Sequence, residues 1–128
     1  ASHAGNRGSN PRGTTIIISN TYKYIYIPFF TVKTTQNNVF QLQRIAGQTI
    51  ARAHEVIGKA GATPDVNQAE LSKARELIRN AQWFWDFIAA ENSMGFHNPD
   101  QTLNTLGQSI DLAHQAIATA NRAAGKQY

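Results

Sequence analysis

Cysteine is absent from all 128 residues. Disulfides and thiolate metal sites are therefore excluded, although the compartment is not fixed by that absence. Long apolar runs are missing too, and no stretch approaches the roughly twenty residues that a membrane-spanning helix needs. Acidic residues are few, 8 against 12 basic, giving a net charge of +4 and a pI near 9.7. The basic residues, from Arg7 and Arg12 to Arg122 and Lys126, are scattered without a run. The excess thus makes no nucleic-acid-binding stripe, and a mildly basic surface suits an acidic partner instead. There is no phosphate-binding glycine loop, no Ser-His-Asp order and no His-Glu-x-x-His zinc motif, so no catalytic residue is assigned. The sequence opens on Ala1 with neither an initiator Met nor an apolar signal core. That fits a processed, exported protein and equally a trimmed one.

What is present falls into two regions. Residues 1–35 form an N-terminal arm. Ala1 to Gly13 is Gly, Asn, Ser, Arg and Pro with little to bury. From Thr14 to Lys33 the composition turns β-branched and aromatic, the pattern of two short strands about a Ser19-Asn20-Thr21 turn, with Pro28 at an edge. Such an apolar hairpin is marginal alone in water and calls for a partner surface, to be met by Ile16, Ile18, Tyr24, Tyr26 and Phe29.

Residues 36–128 switch to helical period. Val39, Leu42, Ile45, Ala46, Thr49, Ala53, Val56, Ile57 and Ala60 recur at the spacing of one helix face, ending near Gly61. A loop around Pro64 precedes a second helix, capped at Asp65 or Asn67 and running to about Asn92. Its inward face is Leu71, Ala74, Leu77, Ile78, Ala81, Trp85, Ile88 and Ala89. A third helix starts at Pro99, carries Leu103, Leu106, Ile110, Ala113, Ile117 and Ala120, and fades at Gly125. Short connections between long helices predict a mainly α fold, an antiparallel three-helix bundle with an N-terminal extended or β-hairpin arm.

The segment between the second and third helices is the most specific part of the chain. Asn98 is a good N-cap, Pro99 suits the first helical position and Asp100 places negative charge at the positive end of the helix dipole. His97 is thereby held in a short elbow in which Gly95 supplies backbone freedom, and its imidazole is free to address something outside its own helix.

Ala81-Gln82-Trp83-Phe84-Trp85-Asp86-Phe87, followed by Ala89 to Pro99 with its Phe96-His97-Asn98-Pro99, resembles the C-terminal helical region of multihaem cytochrome c nitrite reductases, ammonia-forming pentahaem and octahaem alike. The resemblance spans Val39 to Ala124 and is strongest from Ala81 to Ala113. It implies that His97 is an axial ligand of a haem iron. The absence of any Cys-x-x-Cys-His segment departs from the family: a haem c beside His97 must be held covalently by another chain. The family's catalytic haem and active-site residues precede the matched region, so none is carried over. The resemblance further implies a cysteine-rich multihaem partner or a homo-oligomer, and a periplasmic or extracellular location.

Other candidates are weaker in kind. His54 and His114 lie mid-helix, where a lone histidine is either a second haem ligand or an ordinary surface residue. Trp83, Phe84, Trp85 and Phe87 cover more than one side of a helix. Trp85 belongs to the core, and Trp83, Phe84 and Phe87 are left for an interface, as the resemblance also implies. Asp86 and Glu91 point in different directions and suit structural roles, such as orienting His97. Two functions follow from this. One is a subunit or fragment of a nitrite-reductase-like multihaem assembly; the other is a haem-free assembly module that adds its β arm to neighbouring chains.

Overall fold

The structure is a computed structural model that describes residues 20–91 and 93–128, with side chains from residue 31 onward. Three helices follow one another, α1 (Asn20–Gly61), α2 (Gln68–Ala89) and α3 (Pro99–Ala124). No strand occurs among the described residues, and no helix among them is long and apolar enough to cross a membrane.

Local chemistry sets most of the boundaries. Asn67 caps α2 by accepting from the amides of Ala69 at 3.1 Å and Glu70 at 3.2 Å. Its own amide donates to the Ala123 carbonyl at 2.9 Å, tying the start of α2 to the end of α3. Asn98 caps α3 through the Gln101 amide at 3.2 Å, with Pro99 in the first helical turn. At the far end Gly125 adopts a left-handed conformation, φ 66°. Its amide and that of Lys126 return to the carbonyls of Arg122 and Asn121.

Two boundaries differ from the sequence expectation. Of the expected hairpin, Thr14 to Ser19 lie outside the described residues, while residues 20–33 continue α1 as helix instead of forming a strand. Strand preference is weak and set by context, whereas each residue added to an existing helix gains a hydrogen bond without a new nucleus. Pro28 lies inside α1 at a cost, since a proline there lacks the N–H for one helical bond and crowds the carbonyl four residues back. The second difference is that α2 ends at Ala89 and not near Asn92. The chain leaves the helix because the Glu91 carboxylate binds the amides of the turn that follows.

α3 packs along both other helices, while α1 and α2 meet each other least. The contacts fix direction: Gly61 faces Leu71, Trp85 reaches Gln43 and Gly47, and Ser109 bonds Ala81. α1 and α3 therefore run the same way with α2 antiparallel to both. The buried positions step by three and four along each helix, as in Leu71, Ala74, Ile78, Ala81 on α2 and Leu106, Ser109, Ala113, Ala116, Ala120, Ala123 on α3. This spacing keeps one seam facing its neighbours. Many of these residues are alanine, so the axes approach closely and the core is narrow.

The core has two parts. One joins Ile50, Val56, Leu71, Ile78 and the alanines of α3; the other joins Val39, Ala46, Ile88 and Leu106 beside the elbow. Trp85 packs on both, and its indole N–H donates to the Gln43 carbonyl at 2.9 Å. Inward positions that the apolar pattern did not mark are Ile50, Thr102, Ser109, Ala116, Thr119 and Ala123, all buried. Ser109 is admitted because its hydroxyl donates to the Ala81 carbonyl at 2.8 Å. Conversely Ala89 and Ile45, expected inside, are exposed.

Leu106 is fully buried where the smaller core meets α3. Leu106→Ala should lower unfolding free energy in urea by about 3 kcal/mol, and Ile45→Ala by no more than about 0.5 kcal/mol.

Candidate functional site

Residues 90–98 connect two antiparallel helices and carry His97. The connection doubles back through consecutive left-handed residues, Met94 at φ 51° and Gly95 at φ 78°. Gly95 is buried, and a Cβ there would lie 2.8 Å from both Val39 Cγ2 and Thr102 Cγ2. Glycine is thus required twice, by conformation and by space. This contact presses the elbow onto α1 and α3 together. Gln36 of α1 adds a bond from its side-chain amide to the Ser93 carbonyl at 3.3 Å.

One carboxylate organises the interior of the elbow. Glu91 accepts from the Ser93 amide at 3.0 Å, the Ser93 hydroxyl at 2.7 Å and the Gly95 amide at 2.8 Å. These bonds, the Ser93 hydroxyl first and then the Gly95 amide, hold the Glu91 carboxyl below the usual glutamate range; the positive side of His97 contributes least. The Ser93 oxygen in turn accepts from the His97 amide at 3.3 Å.

His97 itself is exposed, and its ring makes no hydrogen bond to the described residues. The Phe96 ring stands beside it, centroids 6.2 Å apart and planes at 56°. Phe96 and Met94 are each 39% exposed, and Phe40 on α1 is 52% exposed. An imidazole without a hydrogen-bond partner among the described residues, beside an exposed aromatic ring, suits a flat, apolar ligand that brings its own metal. The residues therefore fit a haem iron approached from outside the helices.

The other histidines among the described residues, His54 and His114, are not brought to this point. His54 lies about 22 Å along α1 from Val39, and His114 about 24 Å along α3 from Asn98, by helical rise. His54 lines an open cleft of about 310 Å³ between α1 and α2, with Gly47, Ile50, Ala51, Gln82 and Trp85. His114 is exposed on α3. Among the described residues no group of three or more His, Cys, Asp or Glu is placed to hold a metal ion. Asp86 is occupied by the Gln82 side-chain amide at 2.9 Å.

The aromatic cluster divides. Trp85 joins the core, while Trp83 at 62% and Phe87 at 51% remain exposed and stack on each other at 5.8 Å. Half-buried Phe84 meets Trp83 edge to face at 5.2 Å. Of the arm residues expected at an interface, Ile16 and Ile18 lie outside the described residues. Tyr24, Tyr26 and Phe29 fall on the α1 backbone with undescribed side chains.

The sequence profile of the cytochrome c552 family matches residues 30–127. The cytochrome c nitrite reductase subunit NrfA of Nitratidesulfovibrio vulgaris is 39% identical over 93 residues, which are 70% of this chain and 18% of that protein. A cytochrome c-552 of Aliarcobacter butzleri is 45% identical over 78 residues, 59% of this chain and 15% of that one. Among solved structures, the catalytic subunit of cytochrome c nitrite reductase from Desulfovibrio desulfuricans superposes with a TM-score of 0.73 at 33% identity. That fit covers 81% of this chain and 22% of the other. The chain thus spans about a fifth of the length of the relatives it matches.

Gly95→Ala should destabilise the fold by about 1–3 kcal/mol, since its methyl meets packed side chains and its φ is strained. Gly125→Ala, with φ 66° but open space around it, should cost only the conformational part, about 1 kcal/mol. Thermal unfolding of the two variants separates the contributions. The Glu91 bonds have a pH signature as well. Its folded pKa is depressed, so their contribution is complete above the unfolded value and is lost as pH falls through the folded one. Amide exchange at Gly95 should accordingly stay protected near neutrality and accelerate, beyond the intrinsic pH effect, only below the ordinary glutamate range.

Proposed function

The chain belongs to the cytochrome c552 family, and from that premise we propose that it is the helical part of a nitrite-reductase-like multihaem cytochrome in which His97 supplies one axial ligand. The observation that carries this is the exposed His97 imidazole, held in a defined elbow within the matched residues with the exposed Phe96 ring beside it. Lacking cysteine, the chain holds no haem c by thioether links; the haem it serves is attached outside this sequence. When bound, that haem supplies one-electron transfer.

The chain's own residues have limited tasks there. The neutral imidazole offers a nitrogen lone pair toward iron, the strong-field ligand of low-spin haems. The elbow fixes where that nitrogen sits. Phe96 and Met94 present apolar surface that excludes water from the ligand's approach. Trp83, Phe84 and Phe87 form the surface that docks on the rest of the assembly, a cysteine-rich haem chain or a second copy, as exposed stacked aromatics do. A periplasmic or extracellular setting goes with this assignment. The haem-free module that adds a strand to its neighbours finds no support in the described part of the arm, which is helical from Asn20.

The test is His97→Ala in the assembled cytochrome. One haem should change from low-spin to high-spin in its visible and electron paramagnetic resonance spectra. Helix content should be unchanged, and in the isolated chain, where the side chain is exposed, stability should move by no more than about 0.5 kcal/mol. Spectra identical to those of the unmodified protein would remove His97 from the haem.

A further inference from the structure

We propose that Glu91 is a positioning residue for His97, acting through the Ser93 hydroxyl and the turn amides to fix the backbone from which the imidazole projects. This rests on the assignment of His97 as an axial ligand and adds what holds that ligand in place.

The geometry is a short chain of contacts. Glu91 Oε1 accepts from the Ser93 amide at 3.0 Å, while Oε2 accepts from the Ser93 hydroxyl at 2.7 Å and the Gly95 amide at 2.8 Å. With its one O–H donated to the carboxylate as a hydrogen bond, the Ser93 hydroxyl can only accept from the His97 amide, at 3.3 Å. The polarity of the relay is therefore set at Glu91. All three groups that face it are donors, so only an acceptor-only side chain fits. A glutamine would present two N–H donors to at least one of them.

Service to its own helix does not account for Glu91. It stands just past the C-terminal end of α2, where the dipole presents partial negative charge and a carboxylate is disfavoured. It does not cap the start of α3 either, because Asn98 performs that role. Its bonds go to Ser93 and Gly95, and through Ser93 to His97. Gly95 is the residue wedged between Val39 and Thr102, so Glu91 links the fixed point of the elbow to the ligand. Metal ligands are sensitive to such support: losing an outer partner typically lowers affinity about 10- to 100-fold.

The experiment uses the full chain and a short c-type haem peptide that carries its own histidine and leaves one axial position open. Glu91→Gln should bind the peptide at least about tenfold more weakly than the unmodified chain. It should also shift or broaden the ferric low-spin g values, which report imidazole orientation, and leave the helix content in place. Ser93→Ala removes the hydroxyl that joins Glu91 to His97 and leaves the two amide bonds to the carboxylate in place. It should keep the Gly95 amide protected from exchange and still alter the g values, with a smaller loss of affinity. Unchanged affinity and g values in Glu91→Gln, with His97→Ala abolishing binding, would overturn the positioning role and leave the ligand assignment standing. Weaker binding in Glu91→Gln with unaltered g values in both variants would also overturn it, as a general loosening. Full binding by His97→Ala would overturn the ligand assignment itself, and the positioning role with it.

Discussion

A single close approach governs the arrangement, that of the Gly95 backbone against Val39 and Thr102. A Cβ at this point would come within 2.8 Å of both side chains, so the elbow can touch α1 and α3 at once only without one. The smaller core of Val39, Ala46, Ile88 and Leu106 lies beside that contact. The same contact fixes where the chain turns back, and hence where His97 leaves the body of the protein. Everything distinctive about the molecule's functional end follows from a backbone pressed into a place where a side chain has no room.

The remainder of the fold supports that end by keeping the helices close. Ala46, Ala53, Ala60, Ala74, Ala81, Ala113, Ala116, Ala120 and Ala123 are all buried, and small side chains trade hydrophobic area for short interaxial distance. Individual alanines contribute little transfer energy, so the larger buried residues contribute most, Leu71, Leu106, Ile50, Ile78 and Ile88 among them. Trp85 connects the two parts of the core and is anchored by its indole N–H on the Gln43 carbonyl. Exposed ion pairs such as Arg52 with Glu55 and Lys59 with Glu55 are local to α1 and add little.

Much of this was legible in the sequence, and the exceptions have physical causes. The caps at Asn67 and Asn98, the stop at Gly125 and the seam of α2 follow from residue chemistry that acts within one or two turns. The extent of α1 did not, because the β-branched and aromatic composition of residues 20–33 speaks for strands while helix continuation is a cooperative property of the whole segment. Ser109 escaped the apolar pattern because a buried hydroxyl is acceptable wherever a carbonyl lies in reach, here that of Ala81 on the neighbouring helix. His97 was found through its N-cap and proline. Glu91 is already marked in the sequence as a candidate for orienting His97 and Gly95 as the source of backbone freedom, whereas the part of Ser93 emerges only once the turn closes and brings three donors to one carboxylate.

The account's central claim is that this helical end delivers an imidazole to an iron it does not itself hold. Its relatives are cytochromes of which it spans only a fraction, and its exposed aromatics on α2 leave a surface for the rest of such an assembly. The most direct test is iron-edge anomalous diffraction from crystals of this chain in its native assembly. An anomalous peak within coordination distance of a His97 ring nitrogen, with the haem edge against Phe96 and Met94, is the predicted result. Iron peaks that all lie beyond bonding reach of His97 would contradict it.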